Sequence, residues 1–353
     1  MVRLDIILEA TTAYLEALRA NIQLEIQQDN LKLTKTNLAL AKDRVRVGSA
    51  SNADIYRWEA NLATARSSVL AAQAARKRAY QNVNRVLNRT LDAPLKLAKP
   101  NKNTPFTMSS KEFEAIIDNP QSFGWLVDFY IDAGLNRAPE LAQLDAQIEA
   151  VQRDITAKRR AYWLPDFSLN SQYLDSFDAS GRGAGTGVDT ANDWNVSVNA
   201  KLPLFTSGAR RAELSRARLQ LRQLDLQKAT TRQRIEQNIR GFMLASQASY
   251  VNIELSDQGA EAARKNLELV SDAYRQGTVS IIDLLDAQNQ SLSADLSANN
   301  AVHDFLIDIM NVQRAARRFD FTEPPDIQAE RTQALIEYIE ARQSGRKQKR
   351  SEL

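Results

Sequence analysis

The chain has 353 residues, of which 43% are apolar and 7% aromatic, and its 46 Lys and Arg residues nearly balance 43 Asp and Glu residues. A net charge of +3 gives no broad electrostatic basis for binding nucleic acid. The sequence has no cysteine and a single histidine, His303, which is expected to be an ordinary helix-face residue. Disulfides, thiol catalysis and zinc ribbons are thereby excluded, and we expect no metal, no cofactor and no enzymatic activity. No apolar run approaches the roughly 18 residues that a transmembrane helix needs.

Two long helices are predicted in residues 1–93, one on each side of Gly48. Neither residues 1–47 nor residues 49–93 contain glycine or proline, the residues that most often end a helix. Small side chains recur along both helices at heptad-like spacing, at Ala10, Ala13, Ala17 and Ala20 and again at Ala60, Ala63, Ser67, Ala71 and Ala74. Such stripes let helix backbones approach closely, so this first helical hairpin is expected to belong to a packed helical wall.

Proline and glycine become frequent in residues 94–138, which are expected to form short helical pieces in an equatorial region against the outside of the long helices. The apolar side chains available for this packing are Phe113, Ile116, Ile117, Trp125, Leu126, Phe129, Tyr130 and Leu135. A third helix is predicted over residues 139–164, where it leads into a stretch of different periodicity.

Residues 165–205 alternate between apolar and polar side chains, and this period of two predicts a β-hairpin. One face is apolar and carries Phe167, Leu169, Tyr173, Trp194, Val196, Val198, Leu202 and Leu204. The opposite face is polar and carries Ser168, Asn170, Gln172, Asn195, Ser197, Asn199 and Lys201. Strands of about ten residues with one apolar and one wet face match a transmembrane β-hairpin whose apolar residues face lipid.

A soluble ribbon packed on a helix is the alternative explanation of this alternation. The loop between the strands, residues 175–193, is long, polar and rich in glycine, and we expect it to be extracellular. Its run from Gly181 to Gly187 superficially resembles a phosphate-binding turn. Phosphate binding is not expected, because no helix is predicted after the last glycine and no Gly-Lys-Ser/Thr is present.

A second helical hairpin is predicted over residues 206–318. A very long helix would run between Gly208 and Gly277, interrupted only by Gly241 and Gly259, and another would follow over residues 280–318. Residues 319–353 are expected to form a C-terminal tail with a charged helix, exposed and partly disordered.

The two helical hairpins are related by an internal repeat at an offset of 229 residues. Eight of the eighteen residues from Asn37 to Asp54 recur in the second copy, against about one expected by chance. The shared turn is Gly-x-x-Ser-x-x-Asp, at Gly48, Ser51 and Asp54 and at Gly277, Ser280 and Asp283. We expect each glycine to end a helix in the left-handed conformation and each Ser-Asp pair to form a capping box. The same offset would place a first strand pair before residue 1, so we expect this chain to be an incomplete version of a longer protein.

Three stretches resemble the TolC-type outer-membrane efflux proteins. They are Leu202–Phe205 followed by Gly208–Arg210, the helix start Ala138–Leu141, and most specifically Tyr274–Gln288 at the second tip. The resemblance covers about residues 1–320. It implies a mainly α fold with a β-hairpin, in which coiled-coil-like helices form a periplasmic α-barrel and the strands contribute to a trimeric transmembrane β-barrel.

The implied function is that of an outer-membrane exit duct for tripartite efflux or type I secretion, exporting small molecules or polypeptides passively. The implied partners are two further copies of the chain, a periplasmic adaptor, an inner-membrane RND or ABC transporter and outer-membrane lipid, with no nucleic acid. The implied location is the Gram-negative outer membrane, with most of the chain in the periplasm. A soluble coiled-coil scaffold with a β-ribbon is the competing function, and it predicts solubility without detergent and no trimer.

The resemblance also implies roles for residues at the helix tips. The periplasmic gate would link Tyr274 to Asp54, and an acidic ring at the tunnel entrance would use Asp283 and Asp286. Adaptor docking would use Val47, Gly48, Ser49, Ala50, Gln276, Gly277, Thr278 and Val279. Val279 departs from the family pattern, in which an Arg two residues after the tip glycine contributes to the gate. Structural roles remain open for the same gate residues: helix capping, solvation of a helix face, and packing of the tyrosine ring.

Overall fold

The computed structural model describes residues 2–98, 119–174, 193–322 and 324–351. In chain order the elements are α1 Val2–Arg46, α2 Asn52–Val86, α3 Pro120–Asn136, α4 Pro139–Arg160, β1 Asp166–Leu174, β2 Asp193–Lys201, α5 Ala209–Gln276, α6 Ile281–Ala315, a 3₁₀ turn Asp320–Thr322, and α7 Pro325–Ser351. The chain divides into two compact units, a helical unit of residues 1–138 and 234–353 and a hairpin unit of residues 139–233. The mainly helical fold with one β-hairpin confirms the predicted fold class.

The helical unit is organised around α1, which packs against both α2 and α6. Helix α5 packs on α6, where the ring of Tyr250 lies 5.3 Å from that of Phe305 and the Arg264 guanidinium bonds Asp295 at 2.7 Å. The helices predicted on each side of Gly48 and Gly277 are therefore confirmed. Glycines 241 and 259 lie within α5 without ending it.

The predicted small-residue seam packs within the chain on α1, whereas on α2 it is left exposed by the described chain. Ala13, Ala17 and Ala20 are buried, and the first two pack in a cluster with Val83. In α2 the corresponding residues point away from α1 and are exposed at Ala60, Ala63, Ser67, Ala71 and Ala74. The opposite face of α2, which carries Trp58, Ala65 and Val69, is buried instead. Burying the large indole of Trp58 removes more apolar surface from water than burying the small side chains of the stripe would.

A buried polar network joins α1 to α6. The Gln288 amide donates to Asn30 Oδ1 at 2.7 Å and to Thr34 Oγ1 at 2.8 Å, and Asn37 Nδ2 donates to Gln288 Oε1 at 3.1 Å. The Thr34 hydroxyl donates in turn to the Asn30 carbonyl at 2.8 Å. Gln288, Thr34 and Asn37 are all buried, so these bonds fix the register of the two helices.

The C-terminal helix packs where an exposed tail was predicted. In α7 Leu335 and Ile339 are buried, the Tyr338 ring lies 5.6 Å from that of Phe129 on α3, and Arg342 pairs with Asp128 at 3.2 Å. The expectation of an exposed tail is wrong for these residues. Helix α3 confirms that a short helix forms in this stretch, while Phe113, Ile116 and Ile117 lie outside the described residues.

His303 also departs from expectation, because it is buried on α6 and does not lie on a helix face open to water. Its Nδ1 lies 2.8 Å from the Asn299 carbonyl, and its Nε2 has no partner within the described ranges. Burial is the largest cause lowering the pKa of the imidazole, which favours its neutral form.

The hairpin unit contains α4, the β-hairpin and the first part of α5. Strands β1 and β2 pair antiparallel over nine residues each, with Phe167 opposite Ala200, Leu169 opposite Val198 and Tyr173 opposite Trp194. Residues directly opposite each other in an antiparallel pair share a face. The register therefore confirms that the predicted apolar residues of both strands lie on one face of the ribbon.

The second strand ends earlier than predicted. Strand β2 stops at Lys201, so Leu202 and Leu204 lie beyond it, and the prediction that they are strand residues is wrong. Pro203 explains the stop, because it has no N–H for the ladder. The Gly-rich loop predicted over residues 175–193 falls almost wholly outside the described residues. Among the helices that the structure describes, none combines the length and hydrophobicity required for crossing a bilayer.

Candidate functional site

Both helix tips end in the same backbone motif. Gly48 has φ +75° and Gly277 has φ +80°, which is the left-handed conformation predicted for them. At the first tip the amide of Ser49 bonds the Arg44 carbonyl at 2.8 Å and that of Gly48 bonds Val45 at 3.0 Å. At the second tip Thr278 bonds Ala273 at 3.0 Å and Gly277 bonds Tyr274 at 3.1 Å. These pairs define a Schellman motif at each helix end.

The two tips open their next helices differently. At Ser280 the predicted capping box is present, with the Asp283 carboxylate accepting from the Ser280 amide at 2.9 Å and from its hydroxyl at 2.6 Å. These bonds lower the pKa of Asp283, the Ser280 hydroxyl contributing most. At Ser51 the hydroxyl accepts from the Ala53 amide at 3.0 Å, one residue earlier than a box requires. The predicted capping box at Asp54 is wrong, and its carboxylate takes no part in the cap.

Arg44 joins the two tips. Its guanidinium donates to the Tyr274 carbonyl at 2.6 Å and to the Ser49 carbonyl at 3.3 Å, and it lies 4.5 Å from the centroid of the Tyr274 ring. The guanidinium therefore donates a hydrogen bond to one carbonyl at the end of α5 and to a second carbonyl in the turn after α1. It also stacks on the face of an aromatic ring. This contact holds the ends of the two helical hairpins level with each other.

Tyr274 is a packed residue in this structure, and it does not bond Asp54 directly. It is 2% exposed in a cluster with Trp58, Leu38, Ala41, Ile281 and Leu284. Burial is the main cause raising the pKa of the Tyr274 phenol, and the charge of Asp54 raises it further. The indole N–H of Trp58 opposes this rise in the pKa of the phenol. The indole nitrogen of Trp58 and the phenol oxygen of Tyr274 are both buried, and neither has a hydrogen-bond partner of proper geometry within the described chain. Asp54 is thus near the phenol without being bonded to it.

Most of the remaining predicted tip residues are open to solvent. Val47 is 74% exposed, and Gly48, Ser49, Gln276, Gly277 and Thr278 are also exposed, while Ala50 and Val279 are half-buried. Asp283 and Asp286 are exposed three residues apart, so they share one face of α6. Two carboxylates on one exposed helix face can attract cations, and an exposed apolar residue beside them can contact a partner.

Neither Arg44 nor Trp58 was recognised directly from the sequence as a tip residue. The internal repeat carried an indirect one, because position 44 aligns with Ala273 and the arginine is therefore present in one copy only. Because the second copy has alanine at this position, it cannot repeat the contacts that the Arg44 side chain makes at the first tip. In the described part of the chain, no group of His, Asp or Glu side chains has an arrangement suited to a metal ion.

The second tip lies within the part of the chain that matches a known family. The model of the family described as outer membrane efflux protein matches residues 130–316, which is more than half of the chain. The chain belongs to the outer membrane efflux protein family. The α5–α6 hairpin, Tyr274, Asp283 and Asp286 fall inside the matched region, and Asp54 and Arg44 lie before it.

Relatives of this efflux protein cover most of its length. It is 22% identical over 326 residues to outer membrane protein TolC of Vibrio cholerae serotype O1, covering 92% of this chain and 70% of that protein. It is 23% identical over 301 residues to outer membrane efflux protein BepC of Brucella suis biovar 1, covering 85% of this chain and 60% of that protein. The outer-membrane channel OprN has the same fold, with a TM-score of 0.70 at 20% identity over 89% of this chain and 66% of that one.

Proposed function

We propose that this efflux protein is the outer-membrane exit duct of a tripartite efflux or type I secretion system, working as a homotrimer. The observation that carries the proposal is the β-ribbon. Its apolar face carries Leu169, Val198 and Trp194, its polar face carries uncharged Asn and Ser residues, and both faces of the described ribbon are open within one chain.

A ribbon with this pattern is unfavourable in water and incomplete in lipid. Exposed Phe167, Leu169, Trp194 and Val198 each leave apolar area in contact with solvent. In a bilayer the same residues would face hydrocarbon, but two strands leave unpaired backbone groups at both edges. Insertion into a bilayer removes the first cost, and pairing the edges with strands of identical chains removes the second and gives a barrel with a polar interior.

The helical unit supports the periplasmic part of the proposal. Helix α1 has 45 residues, so it is about 70 Å long at 1.5 Å per residue. Helices of this length with exposed polar faces suit the wall of a water-filled tunnel. In the proposed trimer, Asp283 and Asp286 would place six carboxylates around one axis as a cation-attracting entrance, and Asp54 with Tyr274 would act at the gate. The exposed tip residues from Val47 to Ala50 and from Gln276 to Val279 would bind the periplasmic adaptor.

Conductance of the purified protein in planar bilayers tests this function. The unmodified protein is expected to form ion-conducting channels that are blocked by multivalent cations. Asp283→Ala with Asp286→Ala is expected to weaken the block, because the entrance loses its negative charge. Glu254→Ala on α5, an exposed carboxylate 22 residues before the end of that helix, is the matched control. A protein that remains soluble without detergent and forms no channel would instead support the scaffold function.

A further inference from the structure

Helix α2 presents an exposed heptad face that no part of the described chain covers. Tyr56, Ala60, Ala63, Ser67, Leu70 and Ala74 follow a 4-3-4-3-4 spacing, and all six are exposed. They lie on the side of the helix opposite the buried residues Trp58, Ala65 and Val69. A regular apolar seam of this kind is the usual contact surface of a second helix.

Helix α5 has a matching face. Leu244, Ala248, Val251, Leu255, Ala262 and Leu269 recur at helical spacing and are exposed, with Leu269 71% accessible. They lie opposite Tyr250, Arg264 and Leu267, the residues through which α5 contacts the rest of the helical unit. The helical unit thus exposes two seams, one on α2 and one on α5.

A groove with a carboxylate at its edge adjoins the α5 seam. It has a volume of about 600 Å³ and lies between α5 and α6, lined by Ala248, Val251, Leu255, Ile307 and Asp308. Burial raises the pKa of Asp308, and hydrogen bonding with Ser249 opposes the rise. The neighbouring Asp304 is paired with Arg19, but Asp308 has no cation partner among the residues that the structure describes.

The α2 seam ends in unpaired positive charge at the same height. Arg78 is exposed just beyond Ala74, and no carboxylate of the described chain pairs with it. It lies 26 residues from the start of α2, and Asp308 lies 27 residues from the start of α6, so both are about 40 Å from the tips at 1.5 Å per residue. Arg44 holds the two tips level, as shown above.

We propose that the α2 seam of one chain packs on the α5 seam of the next, with Arg78 entering the α5–α6 groove beside Asp308. In a ring with cyclic symmetry every copy stands at the same height, so residues equally distant from the tips meet across each interface. Opposite charges then meet at one level, and the apolar seams pack below them. This inference rests on the homotrimer of the proposed function and assigns its helical contact.

Cysteine cross-linking of the full chain in detergent tests the seam, because the protein has no native cysteine. Ala74 lies 22 residues from the start of α2 and Leu255 lies 21 residues before the end of α5, so the two are at one height. Ala74→Cys with Leu255→Cys should give covalent dimers and trimers on oxidation. The control, Ala74→Cys with Leu269→Cys, displaces one partner by about 20 Å along the same face and should cross-link at least tenfold less.

Charge reversal tests the Arg78 contact. Arg78→Glu and Asp308→Arg should each raise the dissociation constant of the trimer roughly tenfold, and the double variant should recover most of that loss. Arg66→Glu, which changes an exposed α2 residue off the seam, is the control. A trimer in which neither the cross-link nor the recovery occurs overturns this contact and leaves the proposed function intact. A protein that is monomeric in detergent overturns both.

Discussion

At the scale of single residues, Arg44 makes a contact that joins the two helix tips. Its guanidinium donates to the Ser49 carbonyl of its own helical hairpin and to the Tyr274 carbonyl of the other. It also stacks on the ring of Tyr274. Lysine cannot replace it, because an ammonium lacks the planar fork that reaches both oxygens. The position could not be recognised from the sequence, since the contact partners are separated by 230 residues along the chain.

Arg44→Ala is therefore expected to destabilise the tips. Hydrogen bonds to a charged donor contribute about 1.5–3 kcal/mol, so thermal unfolding in detergent should shift clearly to lower temperature. Arg44→Lys should recover only part of the loss. Arg46→Ala is the matched control, because Arg46 is exposed and pairs with the neighbouring Asp43, and it should change the midpoint little. Equal effects of Arg44→Ala and Arg46→Ala would refute the role given to Arg44.

His303 should make stability depend on pH. Burial lowers its pKa below that of the unfolded chain, Arg19 lowers it further, and the Asn299 carbonyl, Glu16 and Asp304 act in the opposite direction. The unfolded state therefore binds a proton first as the pH falls. This contribution to stability is complete above the unfolded pKa of about 6.5 and is lost as the pH falls towards the folded pKa.

We expect the unfolding temperature of the unmodified protein to fall more steeply from about pH 7 to pH 5 than that of His303→Gln, which cannot take up the proton. The difference between the two proteins across this interval isolates the histidine from the carboxylates that also titrate. Parallel curves for the two proteins would show that His303 does not contribute.

At the scale of elements, periodicity predicted most of the fold. The change from a period of 3.6 to a period of 2 located the ribbon, and glycine punctuation located the helix ends at Gly48 and Gly277. Errors came where pattern and packing differ. The small residues of α2 form a regular stripe, but Trp58 faces α1 because it buries more area, and the stripe faces outward. The sequence shows that a seam exists without showing which helix covers it.

Long-range polar contacts were beyond prediction from the pattern. Gln288 bonds Asn37 across 251 residues of sequence, and nothing in the local composition of either helix pairs them. The contact of α7 with α3 was likewise not predicted. Helix α7 has the composition of a charged tail, although Leu335 and Ile339 on it are buried. At the tips, most of the residues that the resemblance assigns to adaptor docking are exposed, and the structure was needed to show that Tyr274 is packed beneath Arg44.

At the scale of the whole molecule, the surroundings of the ribbon distinguish a membrane duct from a soluble scaffold. The helical unit explains how tips, groove and seams are positioned, and the hairpin unit supplies a surface with two chemically different faces. The proposed duct requires that Val196 and Val198 contact lipid while Ser197 and Asn199 contact water. A soluble ribbon would expose all four residues to water or cover one face with protein.

Cysteine accessibility along β2 is the most direct test of this claim. Single cysteines at Val196, Ser197, Val198 and Asn199 would be treated with a water-soluble maleimide in intact outer membranes. The duct predicts rapid labelling at 197 and 199 and protection at 196 and 198, with protection lost once the membrane is dissolved and the protein unfolded. Uniform labelling of all four positions, or recovery of the protein in the soluble fraction, would contradict it.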